Sequence, residues 1–279
     1  MTDVRQTHQP LLERLLPDTD PATLTVREGQ FHRVVIAADR VVRLPRTPAA
    51  AARLPRSAAL LRALLELDLP FRTPTPLDEG HDPAYLLLDR IPGEPLTELT
   101  DPGTAASVAE QYTALLSALA KAGADPRARA ALPRAAPDQW RRFAADVRTE
   151  LLPLMSPAGR RRADRELTAL DALPHLTESV VHGDLGPENV LWENVHGRPH
   201  LSGVIDWDDV SLGDPAEDLA AIGAGHGPDL LDRILTLENR DGTRDRITTI
   251  SGTFALQQAL QAARDGDAEE LADGLTGYR

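Results

Sequence analysis

A chain of 279 residues with 30 basic and 43 acidic side chains carries a formal charge of −13, which repels nucleic acid and anionic membranes and attracts cations. Having no cysteine, it forms neither disulfides nor thiolate metal sites. No apolar run approaches the roughly 20 residues that span a bilayer, and MTDVRQTHQP has no basic segment followed by an apolar one, so the expectation is a cytoplasmic enzyme without nucleic-acid or membrane partners.

In chain order, Leu11, Leu12, Leu15 and Leu16 mark a short amphipathic piece. Leu24–Val26, Val34–Ala37 and Val41–Leu44 read as short β-branched strands, with Asp39-Arg40 as a hairpin turn. Leu60, Leu61, Leu64 and Leu65 share one face of a helix over 49–67. FRTPTPLDEGHDP (71–83) reads as loop, and Tyr85–Leu88 as a buried strand. Pro92 and Gly93 break the chain, and helices then dominate. One covers 104–122, a second carries Trp140, Phe143, Ala144, Val147 and Leu151, and a third spans 160–173. Short strands at 180–181, 190–192 and 201–205 precede further helices. This pattern predicts an α+β protein with a small β-rich lobe over 1–90 and a larger, mainly helical lobe over 91–279.

The chemistry is concentrated in VVHGDLGPENVLW (180–192) and GVIDWDD (203–209). Gly183, Gly186 and Pro187 forbid a regular helix, so their loop can turn Asp184 and Asn189 into one cleft, while the Val204-Ile205 strand delivers Asp206 at its end. Phosphoryl transfer from a nucleotide needs a carboxylate to orient the attacking hydroxyl and take its proton, and oxygen ligands for Mg²⁺ on the phosphates. Asp184 suits the first task, Asn189 and Asp206 the second, and His182 would brace the loop. A β-flanked H-G-D-x-x-x-x-N, a hairpin, then apolar-apolar-Asp matches the order of the catalytic and metal loops in the protein-kinase fold. In GDPAEDLA (213–220), Asp214 with Pro215 and Glu217 reads as a helix start with a capping box, and Asp218 as scaffold or cleft residue.

HGDLGPENVL, VIDWDD and GDPAEDLA resemble the aminoglycoside phosphotransferase family, which has a bilobal protein-kinase-like fold. EGQFH, RVVRLPR, FRTPTPL, RIPGEPL, GTFALQQAL and DGDAEELADGLTGYR extend the likeness along the chain, toward the members that modify viomycin and capreomycin. The resemblance implies ATP or GTP as donor, Mg²⁺, Asp184 as catalytic aspartate, and Asn189 and Asp206 as metal ligands. It places Arg43 against the α/β phosphates, Gly29 in a turn offering backbone N–H groups to phosphate, Leu88 behind the adenine, and the backbones of Asp89 and Ile91 against its edge. Where many relatives read Arg-Glu-Ala, this chain reads Arg56-Ser57-Ala58, so the acid that ordinarily pairs with the phosphate-contacting cation is missing.

The acceptor implied is a hydroxyl of a basic cyclic peptide antibiotic of the tuberactinomycin class, whose modification confers resistance. Six acids between Asp206 and Asp218, with no Lys or Arg among them, fit a cationic substrate, and Asp208 and Asp209 are the nearest candidates to touch it. Asp265, Asp267, Glu269, Glu270 and Asp273 are either further cleft acids or a solvated face. Kinases of aminoglycosides, macrolides, choline-like amines or homoserine stay open as alternatives. So does a drug-binding pseudokinase, which Ser57 favours and the intact Asp184, Asn189 and Asp206 oppose. The oligomeric state is open, with a monomer as the simplest expectation.

Overall fold

Side-chain alternation along the first strands decides how the small lobe is layered. In the computed structural model, which describes residues 4–29, 31–96, 98, 99, 101–238 and 241–279, two short helices, α1 (Val4–Thr7) and α2 (Gln9–Leu15), precede the sheet. Strands β1 (Thr25–Glu28), β2 (His32–Ile36), β3 (Arg40–Pro45), β4 (Pro76–His81) and β5 (Ala84–Asp89) form an antiparallel sheet in the order β1-β2-β3-β5-β4. Val35, Val42, Leu44, Tyr85 and Leu87 pack with Leu11, Leu12 and Leu15 of α2 in a small core of their own. The intervening residues point the other way. Val41 pairs with Leu88 and Arg43 with Leu86 in the register, and Leu86 and Leu88 join Leu54, Leu61 and Leu64 of helix α3 (Pro48–Leu65) in the main core. The same period of two therefore aims Arg43 at the interlobe side.

The segment 71–83 departs from its expected loop, because Pro76–His81 is the edge strand β4. Asp78, Glu79 and Gly80 have little β propensity, but an edge strand needs only the backbone partners that β5 supplies. The Tyr85 hydroxyl fastens it further, donating to Asp78 Oδ2 at 2.7 Å.

Past β5 the chain turns at Gly93, φ +109°, into β6 (Glu94–Pro95), then helices α4 (Pro102–Gly123), α5 (Pro126–Ala131), α6 (Gln139–Glu150) and α7 (Pro157–Asp171). Strands β7 (Ser179–Val181), β8 (Val190–Val195), β9 (Arg198–Val204) and β10 (Ser211–Gly213) follow, with β6-β8-β9 and β10-β7 as two small sheets. Helices α8 (Ala216–His226), α9 (Pro228–Glu238), α10 (Arg244–Ser251), α11 (Phe254–Asp265) and α12 (Ala268–Gly274) complete the lobe. One core runs from Leu54 and Leu86 through Tyr112 and Leu185 to Leu219 and Ile250. Trp207 lies fully buried in it, stacked 6.4 Å from Phe71. A separate cluster joins Val147, Leu167, Leu256 and Tyr278. No helix among the described residues is long and apolar enough to cross a membrane.

Candidate active site

Where β7 runs toward β8, the loop holding Asp184 is fixed by three side chains. His182, fully buried, accepts the Asp184 N–H at Nδ1 (3.2 Å) and faces the Ile205 carbonyl with Nε2 at 2.8 Å. With Nδ1 accepting, the proton sits on Nε2, and one imidazole ties the Asp184 loop to the strand end that delivers Asp206. Asp218, 1% exposed in the first turn of α8, accepts the N–H groups of His182 (2.9 Å) and Gly183 (3.0 Å), which settles it as scaffold. Gly183 takes φ +91°, and a Cβ there would stand 3.1 Å from the Asp209 carbonyl oxygen, so the turn requires glycine. Asn189 Nδ2 donates to the Asp184 carbonyl (2.8 Å) and to its Oδ2 (3.1 Å).

Asp206 adopts left-handed φ 64°, ψ 56°, a conformation that costs a non-glycine residue on the order of 1 kcal/mol. Burial, and then the Asp208 and Asp184 charges, push its pKa up despite Arg43 and His182. A carboxyl in that condition is short of positive charge. Asp184, Asn189 and Asp206 all line one cleft of about 760 Å³ between the lobes. Among the described residues no group of three or more His, Asp or Glu side chains is placed to hold a metal alone. Two hard oxygen donors are what Mg²⁺ uses when phosphates and waters complete its shell, so the residues fit that ion.

The cleft roof is apolar, with Val34, Ile36, Val41, Leu88 and Ile91. Gly29 lines it too, but its own N–H donates to the His32 carbonyl at 2.9 Å and is not on offer to phosphate; Gln30 lies outside the described residues. The Asp89 N–H is likewise taken by the Thr75 carbonyl (3.0 Å), leaving its carbonyl as the group that can face a base. Arg43, 11% exposed, reaches Asp208 with both terminal nitrogens, Nη1 to Oδ1 at 3.2 Å and Nη2 to Oδ2 at 2.6 Å. Asp208, expected beside a substrate, is thus engaged by the small lobe, and helix α3, with Ser57 lining the same cleft, carries no acid. Burial works against the Asp208 charge, yet Arg43 and the Ser57 hydroxyl hold its carboxyl below the ordinary value. Nη2 also lies 3.1 Å from His32 Nδ1, and burial together with the Arg43 charge brings the His32 pKa down to about 4, which keeps the ring an acceptor. Asp209 lines the cleft, its pKa raised by burial and by Asp208 and Asp184.

A second cavity of about 430 Å³ opens on the far side of Asp184, walled by Trp140, Phe254, Gln257, Glu188 and Glu217. Burial, then the Asp218 and Asp214 charges, lift the Glu217 pKa to about 7. Glu217 donates its N–H to the Asp214 carbonyl at 3.0 Å and Asp214 Oδ1 accepts the Ala216 N–H at 2.9 Å, but α8 begins at Ala216 with Pro215 as its cap, so Asp214 stands one residue before the N-cap position that the sequence assigned it and the reciprocal box is not formed. Trp140, Phe254 and Glu188 were missed as site residues: Trp140 read as one position on a helical face, Phe254 stood only within the stretch GTFALQQAL, and Glu188 had only its place inside the loop to single it out. The acids after Asp265 line neither cavity; Asp267 instead caps α12.

Residues 24–247 match the phosphotransferase enzyme family. A viomycin phosphotransferase of Streptomyces vinaceus is 61% identical, over 98% of this chain and 99% of its own length. The fold superposes on the GDP and kanamycin complex of APH(2")-IIIa with a TM-score of 0.82 at 18% identity, covering 97% of this chain and 96% of that one. A type I macrolide 2'-phosphotransferase gives 0.76 at 26% identity, covering 100% and 99%. The matched span takes in both lobes, the loop of Asp184 and Asn189 and the strand ending at Asp206, and the chain belongs to the phosphotransferase enzyme family.

Proposed function

We propose that the chain is a cytoplasmic, monomeric, Mg²⁺-dependent enzyme that moves the γ-phosphoryl group of ATP, or of GTP, to a hydroxyl of a basic cyclic peptide antibiotic of the viomycin and capreomycin class, giving resistance. The observation that carries this reading is the pair of cavities meeting at Asp184: one has an apolar roof and a buried arginine, the other aromatic and acidic walls. The 61% identity to a viomycin phosphotransferase supports the acceptor class.

In this reading the lobe over 1–90 holds the nucleotide. Its adenine lies under Leu88, against the Asp89 carbonyl and the Ile91 N–H, and Arg43 meets the α/β phosphates. Gly29 closes the turn above without lending its N–H. Bound Mg²⁺ neutralises charge on the phosphates, and Asn189 and Asp206 would hold it. The acceptor sits in the second cavity within 91–279, a cationic group between the Trp140 ring and the Glu217 carboxylate, with Glu188 adding attraction and Asp209 acting across from the neighbouring cleft. Asp184 accepts the hydroxyl proton as the oxygen bonds to the γ-phosphorus, and the bond from that phosphorus to the β-bridging oxygen breaks, releasing the nucleoside diphosphate.

Purified protein with MgATP and viomycin or capreomycin should add one phosphoryl group to the drug, located by mass spectrometry. Kanamycin, streptomycin, a macrolide, choline and homoserine are the counter-panel. Phosphorylation of one of those in preference to the cyclic peptides overturns the acceptor assignment. A pseudokinase would protect cells equally well after Asp184→Ala, whereas this reading requires that protection be lost.

A further inference from the structure

The small lobe's phosphate-facing cation has lost its helix acid, and the replacement comes from the other lobe. We propose that Asp208 is the positioning residue for Arg43, taking over from helix α3 the task of aiming this guanidinium at the nucleotide phosphates. The inference rests on the nucleotide site described above and concerns how that site is held. Ser57, 5% exposed, lines the cleft beside Arg43 and donates its hydroxyl to the Arg53 carbonyl at 3.3 Å, while Asp208, the acid that Arg43 does engage, is a neighbour of that hydroxyl. The acid therefore sits against the helix without belonging to it.

The geometry explains the choice of arginine. Two N–H groups go to Asp208 and a third faces His32 Nδ1, which leaves two of the five for phosphate. An ammonium has three donors in all and would have none to spare. Asp208 also stands two residues after Asp206, and Arg43 Nη2 lies 3.6 Å from Asp206 Oδ1. The phosphate cation and the proposed metal aspartate are thereby fixed by one short segment, Asp206–Asp208, and α3 has no acid of its own to contribute. Moving α3 would leave the pair intact, which sets this site apart from one governed by a helix glutamate.

The test relocates the acid. Asp208→Asn, Asp208→Ser and the double variant Ser57→Glu with Asp208→Ser are made in the full chain, and MgADP affinity, KM for ATP, KM for viomycin and Tm are measured. The single variants should weaken nucleotide binding on the order of tenfold and leave the drug KM within about twofold, and the double variant should regain most of the loss. Unchanged nucleotide affinity in Asp208→Asn overturns the proposal. So does a rise confined to the drug KM, which would make Asp208 an acceptor contact. A folded double variant that regains nothing overturns it as well. Should the double variant not fold, Asp208→Glu decides: kept affinity supports the role, and a loss equal to that of Asp208→Asn ends it. Wild-type protein that binds nucleotide but leaves viomycin unmodified sinks only the acceptor reading, whereas failure to bind nucleotide sinks both.

Discussion

Asp184 is oriented by contacts that do not depend on its charge. Asn189 Nδ2 and the His182 ring hold its carboxyl and its backbone from two directions. Asp184→Asn should therefore keep the loop and the nucleotide site while removing the proton acceptor. The expected result is a fall in kcat of about 10²–10⁴-fold with MgADP affinity kept, read by steady-state kinetics and titration calorimetry. Glu217 calls for a pH experiment. Its pKa of about 7 means that it is neutral below that pH and anionic above it. A bound cation favours the anionic form, so the drug KM should decrease as pH rises through about 7. Glu217→Gln should raise that KM and flatten the profile; a profile unchanged by the substitution would remove Glu217 from the acceptor site.

Helix α8 acts on the Asp184 loop through Asp218, whose two oxygens accept the adjacent N–H groups of buried His182 and of exposed Gly183. Asp218→Ala would leave the buried His182 N–H unpaired at a cost of about 1–3 kcal/mol, a drop in Tm of roughly 3–10 °C, with loss of activity following from a loosened loop. Much at this scale could be read in advance. β2, β3 and β5 announce themselves by β-branched and aliphatic alternation, and the Asp184 loop by glycines and a proline bunched in a few residues. β4 could not be read, since its pairing uses backbone groups that any sequence has. The Arg43–Asp208 contact was equally hidden: its partners are 165 positions apart, and the sequence displays only the vacancy at Ser57. The second cavity takes one wall each from α6, α8 and α11, whose residues show ordinary core spacing and nothing of their meeting.

At the scale of the molecule, the lobes share their interior. Leu54, Leu61 and Leu86 of the small lobe belong to the same core as Tyr112 and Leu219, and Phe71 stacks on Trp207. Unfolding should follow a single calorimetric transition, with van't Hoff and calorimetric enthalpies in agreement; two resolved transitions would contradict this. Residues 1–90 expressed alone should stay unstructured for the same reason, as far-UV circular dichroism would report. Among the described residues the two cavities, by contrast, have only Asp184 and Glu188 in common. With nucleotide and acceptor in the two cavities as proposed, neither must depart before the other arrives, so initial-rate plots should intersect in the manner of random sequential addition. Spent nucleotide and unmodified antibiotic can also occupy the protein together, and that abortive ternary complex should appear as inhibition of turnover when antibiotic is in large excess.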